Sequence, residues 1–148
     1  MRIYLDNCCY NRPYDDQSQI RISLETQAKL YIQDMVKRGR LELVTSYVLE
    51  FENSNNRSMQ KRLAIENFMN ANATVYVTNK DKEIVERNAH SIMETGIKVK
   101  DACHVACAIL ADCNYFITTD DRLLKYCSER IQLVSPCEFI RKMEADGS

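Results

Sequence analysis

Short β-prone runs alternate along this chain with stretches of helical period, and almost every run stops at an acid or at a hydroxyl able to cap a helix. The runs fall at residues 2–5, 41–44, 73–77, 115–117 and 131–134. Between them, apolar residues recur every three to four positions. Leu24, Ala28, Tyr31, Ile32 and Met35 do so within residues 22–36, a stretch closed by Gly39. Thr45 or Ser46 can cap a helix through Val48, Leu49 and Glu52, which the polar residues 53–56 interrupt. Further helices are expected over residues 59–69, then through Ile84, Val85, Ala89 and Ile92 behind Thr78 or Asn79 as far as Gly96. An alanine- and cysteine-rich helix over residues 102–110 opens at Lys100 and Asp101. A short one spans residues 122–126, and a last begins at Pro136. Strands alternating with helices predict a parallel, doubly wound sheet: a three-layer α/β/α fold with a central parallel sheet of Rossmann-like type.

The chain has 148 residues, the length of one domain, and residues 1–148 are read as one, with a polar tail over 145–148. Only three Gly and two Pro argue against long loops. An exception is expected just after the first strand, where Asn7, Asn11, Arg12, Pro13, Asp15 and Asp16 read as a functional loop. The chain opens with MRIYLDN rather than a basic, apolar leader, and no apolar run approaches the roughly 20 residues that span a bilayer. Seven cysteines, an odd number, fit a reducing compartment better than a disulfide framework, so a soluble cytoplasmic protein is expected.

Four acids stand at strand ends or helix starts, although they are scattered through the sequence: Asp6, Glu52, Asp101 and Asp120. In a parallel sheet such positions converge beyond the carboxyl ends of the strands. Carboxylates that converge without cations raise one another's pKa, and a divalent ion relieves the repulsion. Oxygen-only ligation favours Mg²⁺ or Mn²⁺ over Zn²⁺. Singly, each acid has a plainer reading, Asp101 as a first-turn acid facing the helix dipole and Asp120 as a cap. Zinc has a rival constellation in Cys103, His104 and Cys107, with Cys8 and Cys9 near the first acid. No C-x-x-C pair exists, and two adjacent cysteines in an extended segment point to opposite sides.

Four segments resemble the PIN domains, metal-dependent nucleases found in many prokaryotic toxins and RNA-processing factors: YLDNCCYNRP, TSYVLEFE, KDACHVACA and FITTDDRLL. The resemblance implies that Asp6, Glu52, Asp101 and Asp120 are the catalytic, metal-holding acids. Glu50 competes with Glu52, which is favoured by its interval from Ser46. Asp121 competes with Asp120, which fits the T-x-D pattern. Asn7 stands where the family more often has a hydroxyl residue, and Asn7 and Thr118 are expected to orient the carboxylates. The implied activity is Mg²⁺- or Mn²⁺-dependent phosphodiester hydrolysis, RNA being the implied substrate. Histidine at the position of His104 is frequent in the family without ligating the metal. Arg12, Lys100 and Arg122, with Lys98 and Lys125, are the cations expected to meet phosphates, and Tyr10 and Tyr14 the rings expected to stack on bases. A toxin role with an antitoxin partner, and a homodimer, follow from the same resemblance.

The alternative is a catalytically silent PIN-like domain that binds nucleic acid or a protein. A phosphohydrolase of the haloacid dehalogenase type would require an aspartate two residues after Asp6, where Cys8 stands. The formal net charge of −1 excludes a strongly basic overall field, so any nucleic-acid contact must be local.

Overall fold

A computed structural model describes residues 1–146; the last two residues of the polar tail lie outside the described residues. Five strands form one wholly parallel sheet: β1 (Arg2–Leu5), β2 (Glu42–Ser46), β3 (Ala73–Val77), β4 (Tyr115–Ile117) and β5 (Gln132–Val134). Their spatial order is β3-β2-β1-β4-β5. The chain steps outward from β1 to β3, crosses back, and steps outward the other way from β4. The strand order therefore reverses at β1 and β4, where the carboxyl ends of a parallel sheet open a crevice. Central strands carry continuous apolar runs because helices cover both faces: Ile3, Tyr4, Leu5, Leu43, Val44, Phe116 and Ile117 are all fully buried.

Among the described residues, eight helices complete a three-layer α/β/α fold: α1 (Asn7–Asn11), α2 (Ile20–Lys37), α3 (Tyr47–Ser54), α4 (Met59–Asn72), α5 (Lys82–Met93), α6 (Val99–Leu110), α7 (Asp121–Leu124) and α8 (Pro136–Ala145). α2 packs on α8, and α5 packs on α6. Gly39 and Gly96 follow α2 and α5 with φ of +75° and +100°, the left-handed geometry glycine adopts without a Cβ clash.

Two expectations are corrected. The segment after β1 is not a loop but α1 followed by a 3-10 turn, Arg12–Tyr14. Asp6 caps α1, and Cys9 and Tyr10 anchor it in the core, so burial outweighs the turn chemistry of its asparagines. Cys8 and Cys9 are therefore helical, not extended. The second correction concerns α2, which does not bury Leu24 and Tyr31: these are 52% and 54% exposed, and the covered face runs through Glu25, Lys29, Ile32, Met35 and Val36. Glu25 is held there by Arg12 and Arg21 at 3.3 Å each. Lys29 lies over the Tyr10 and Phe68 rings at 5.6 and 5.8 Å, a cation–π arrangement that keeps a buried ammonium partly compensated, though burial still lowers its pKa to about 8.

Candidate active site

β1 ends at Asp6, which is 5% exposed and tied down on both oxygens. Oδ1 accepts from the Asn7 amide at 2.8 Å, as the cap of α1 requires. Oδ2 accepts from the Thr118 hydroxyl at 2.8 Å and from the Cys8 thiol at 3.4 Å. Thr118 leaves the end of β4, so β1 and β4 are stitched together at the crevice, where the Asp6 amide also donates to the Ile117 carbonyl at 2.9 Å. Asn7 acts on Asp6 through its backbone; its side-chain Oδ1 is buried without a hydrogen-bond partner among the described residues.

Asp120 caps α7, accepting from the Arg122 and Leu123 amides at 2.9 and 3.4 Å, while its own amide donates to Thr118 Oγ1 at 3.1 Å. Asp121 faces elsewhere, in a two-point pair with Arg21 at 2.8 and 2.9 Å. The same division separates the two glutamates of α3. Glu50 is exposed and accepts from the Tyr76 hydroxyl at 2.7 Å, whereas Glu52, two positions on, turns inward.

Beneath Glu52 runs a buried polar chain. His104 Nε2 lies 2.7 Å from Glu52 Oε1, and its Nδ1 lies 2.6 Å from the Tyr4 hydroxyl, itself 2.7 Å from Ser46 Oγ. A carboxylate only accepts, so Nε2 carries the proton. In the neutral ring Nδ1 then accepts from Tyr4, Ser46 donates to Tyr4, and the Leu49 amide donates to Ser46 at 3.1 Å, capping α3. Lys100 Nζ reaches Glu52 Oε2 at 3.5 Å. Burial pushes the Glu52 carboxyl up, but the hydrogen bond and field of His104, with Lys100, outweigh it and hold the group below its ordinary value.

Asp101, in the first turn of α6, is the contrasting case: among the described residues no donor hydrogen-bonds its carboxylate and no cation pairs with it. Burial, then the charges of Asp6 and Asp120, raise its pKa, with His104 opposing and Glu52 adding. Asp6, Glu52, Asp101 and Asp120 line one cavity of about 370 Å³, together with Asn7, Cys8 and Arg12. One ligating atom from each of Asp6, Glu52 and His104 lies within 4.8 Å of the others. Both nitrogens of His104 are already engaged, so the donors free to face a cation are carboxylate oxygens, a set suited to a hard divalent ion. The cysteines are free thiols, and Cys103, His104 and Cys107 form no zinc-type cluster among the described residues.

The expected phosphate contacts divide. Arg12 borders the cavity but is paired with Asp15 at 3.0 Å and with Glu25, and Lys100 is paired with Glu52. Arg122, Lys98 and Lys125 are exposed and form no salt bridge among the described residues. Tyr14 is 42% exposed with Lys61 over its ring, but Tyr10 is 1% exposed, which corrects its expected stacking role: a core ring cannot meet a base. Sequence reasoning missed Tyr4 and Ser46 as members of the Glu52 network. The available signal was a lone histidine one turn beyond Asp101 in an otherwise apolar helix.

No family model matches the sequence, and no curated protein matches it. Among solved structures, the chain is similar to VapBC2 from Rickettsia felis, bound to a DNA fragment from their promoter, at 10% identity and TM-score 0.59, over 90% of this chain and 97% of that one. It is similar to FitAcB from Neisseria gonorrhoeae at 13% identity and TM-score 0.58, over 91% of this chain and 98% of that one. At these identities the likeness is one of architecture. In fold, the chain is a PIN-like domain.

Proposed function

We propose that the protein is a nuclease dependent on Mg²⁺ or Mn²⁺ that hydrolyses phosphodiester bonds in RNA. The observation that carries this reading is the meeting of four carboxylates from four distant segments in one cavity, with Asp101 left unpaired and destabilised as an anion. Asp6, Glu52, Asp101 and Asp120 would hold the ion. When bound, it supplies a water of lowered pKa as nucleophile and neutralises charge on the phosphate. The chain's own residues do the positioning. Asn7 and Thr118 fix both oxygens of Asp6, His104 and Lys100 fix Glu52, and the α7 amides fix one oxygen of Asp120. No covalent enzyme intermediate is required.

The reading extends to a toxin paired with an antitoxin, which the likeness to VapBC2 and FitAcB supports, and to a homodimer and a cytoplasmic setting. Among the described residues no helix is long and apolar enough to cross a membrane. The deciding experiment incubates labelled single-stranded RNA and DNA with the protein in Mg²⁺, in Mn²⁺ and in chelator. Metal-dependent cleavage is expected, falling by more than about 100-fold in Asp6→Asn and Asp101→Asn, beyond what loss of a merely supporting partner causes. Binding without cleavage in every metal would establish the silent alternative. Size-exclusion chromatography at the monomer mass would remove the homodimer.

A further inference from the structure

The acid-lined cavity does not end at the acids. It shares Asp101 and Asp120 with a second cavity of about 390 Å³, between the α5–α6 turn and α7, which Lys98 and Arg122 border. That one shares Ile97 and Arg122 with a third, of about 290 Å³, bordered by Lys125 and Tyr126. Through these shared residues the three adjoin, forming a groove that leads away from the acids. Along it lie Lys98, Arg122 and Lys125, which are exposed and have no carboxylate within ion-pairing distance among the described residues. Two arginines near the acids are by contrast already neutralised: Arg12, which borders the acid cavity, by Asp15 and Glu25, and Arg21 by Glu25 and by Asp121, itself a border residue of the second cavity.

We propose that a single strand of nucleic acid lies along this groove, with one phosphate at the acids, its neighbours on Lys98, Arg122 and Lys125, and a base against the half-buried ring of Tyr126. The proposal rests on the nuclease reading for the phosphate at the acids. Cations already paired with carboxylates gain little from a phosphate, whereas unpaired ones release counterions and add affinity. With a net charge of −1 the protein has no strong overall field, so attraction for a strand must come from local cations such as these. The strand is single because Asp6, at 5% exposure, lies in a recess that a flexible backbone can enter and a stiff duplex cannot. An aromatic ring at the far end suits an unpaired base.

The test measures fluorescence anisotropy of a labelled 12-nucleotide RNA, its DNA counterpart and the corresponding RNA duplex. Binding is measured on the Asp101→Asn protein and on groove variants made in it, in Mg²⁺ over a KCl series, and cleavage is followed in parallel for the wild type and for the groove variants that retain Asp101. Lys98→Glu, Arg122→Glu and Lys125→Glu are each expected to weaken single-strand binding about 5- to 10-fold and to lower the salt slope by about 0.7 per lost contact. Tyr126→Leu, which keeps an apolar side chain, is expected to weaken it about fivefold or more. Arg130→Glu, on an exposed residue near the start of β5, serves as the control for net charge. The RNA and DNA arms show which sugar the groove accepts. Groove variants that bind like the Asp101→Asn parent, or no worse than Arg130→Glu, overturn the proposal, as does equal binding of the duplex. Loss of binding in the groove variants with no wild-type cleavage keeps the groove and removes the nuclease. Cleavage that stops in Asp101→Asn but is untouched by the groove variants removes the groove and keeps the nuclease.

Discussion

At Asp101, burial together with Asp6, Asp120 and Glu52 disfavours the anion, and only His104 opposes them. The folded chain therefore holds this proton more tightly than the unfolded one. Its stabilising contribution is complete below the unfolded pKa of about 3.9 and is lost as pH rises through the higher folded value. Asp101→Asn removes that loss. In chelator at neutral pH the variant should melt above wild type, by about 2–4 °C for each kcal/mol relieved in a chain of this size, and the gap should close as pH falls below about 4. Differential scanning calorimetry across that range checks it, and identical melting curves would refute it. Tyr4 gives the opposite expectation. Tyr4→Phe deletes one hydroxyl and leaves His104 Nδ1 buried without its donor, a loss of about 1–3 kcal/mol measurable by urea unfolding. Nε2 still donates to Glu52, so the tautomer is kept, but the ring loses the bond that fixes its position beneath the carboxylate. Mn²⁺ affinity measured by calorimetry should fall even though Tyr4 lies beneath the cavity rather than in it. Unchanged affinity would mean that Glu52 is placed without help from the chain below.

At the scale of elements, two acids of the cavity are also helix caps, Asp6 for α1 and Asp120 for α7. The two roles separate by substitution, because asparagine caps about as well as aspartate whereas alanine forfeits roughly 1 kcal/mol. Asp120→Asn, which also relieves Asp101 of a neighbouring charge, should be at least as stable as wild type, and Asp120→Ala should fall short of Asp120→Asn by that amount, while both lose cleavage in a fixed-time assay. An Asp120→Ala protein as stable as Asp120→Asn would show that the cap contributes nothing. This doubling is also why so much was legible beforehand. β1, β3 and β4 and the start of α8 fall where the residue pattern places them, since each ends or begins on capping or turn chemistry local to the sequence. What was not legible depends on partners far away in the chain. The buried face of α2 keeps Ile32 and Met35 but turns away from Leu24 and Tyr31, because Glu25 and Lys29 find compensation in Arg12, Arg21, Tyr10 and Phe68, so charge on the buried face misleads a count of apolar residues. Arg12 looks like a free cation in sequence and is a paired one in the fold. The chain from Glu52 to Ser46 joins residues 52 and 100 positions apart, beyond any helical or strand period.

For the molecule as a whole, a reversal of strand order gathers these acids at one end of the sheet, and their mutual repulsion is a standing cost that a cation would relieve. Any ligand that binds only the folded state stabilises it by RT ln(1 + [L]/Kd), about 2.7 kcal/mol at 100 times Kd. For a chain of this length that is a rise of about 5–10 °C in melting temperature. Two explanations predict some rise on adding MnCl₂: occupation of the site, and plain screening of like charges. They differ in what else produces it. Screening depends on ionic strength, so NaCl at matched ionic strength would reproduce it, and it would be reduced only slightly in a variant that keeps three of the four carboxylates. Site occupation should saturate with MnCl₂ concentration, resist NaCl, and largely vanish in Asp6→Ala. Thermal melts of wild type and Asp6→Ala in the two salts decide between them. If NaCl raises the wild-type melting temperature as far as MnCl₂ does, the four acids merely repel one another and hold no ion.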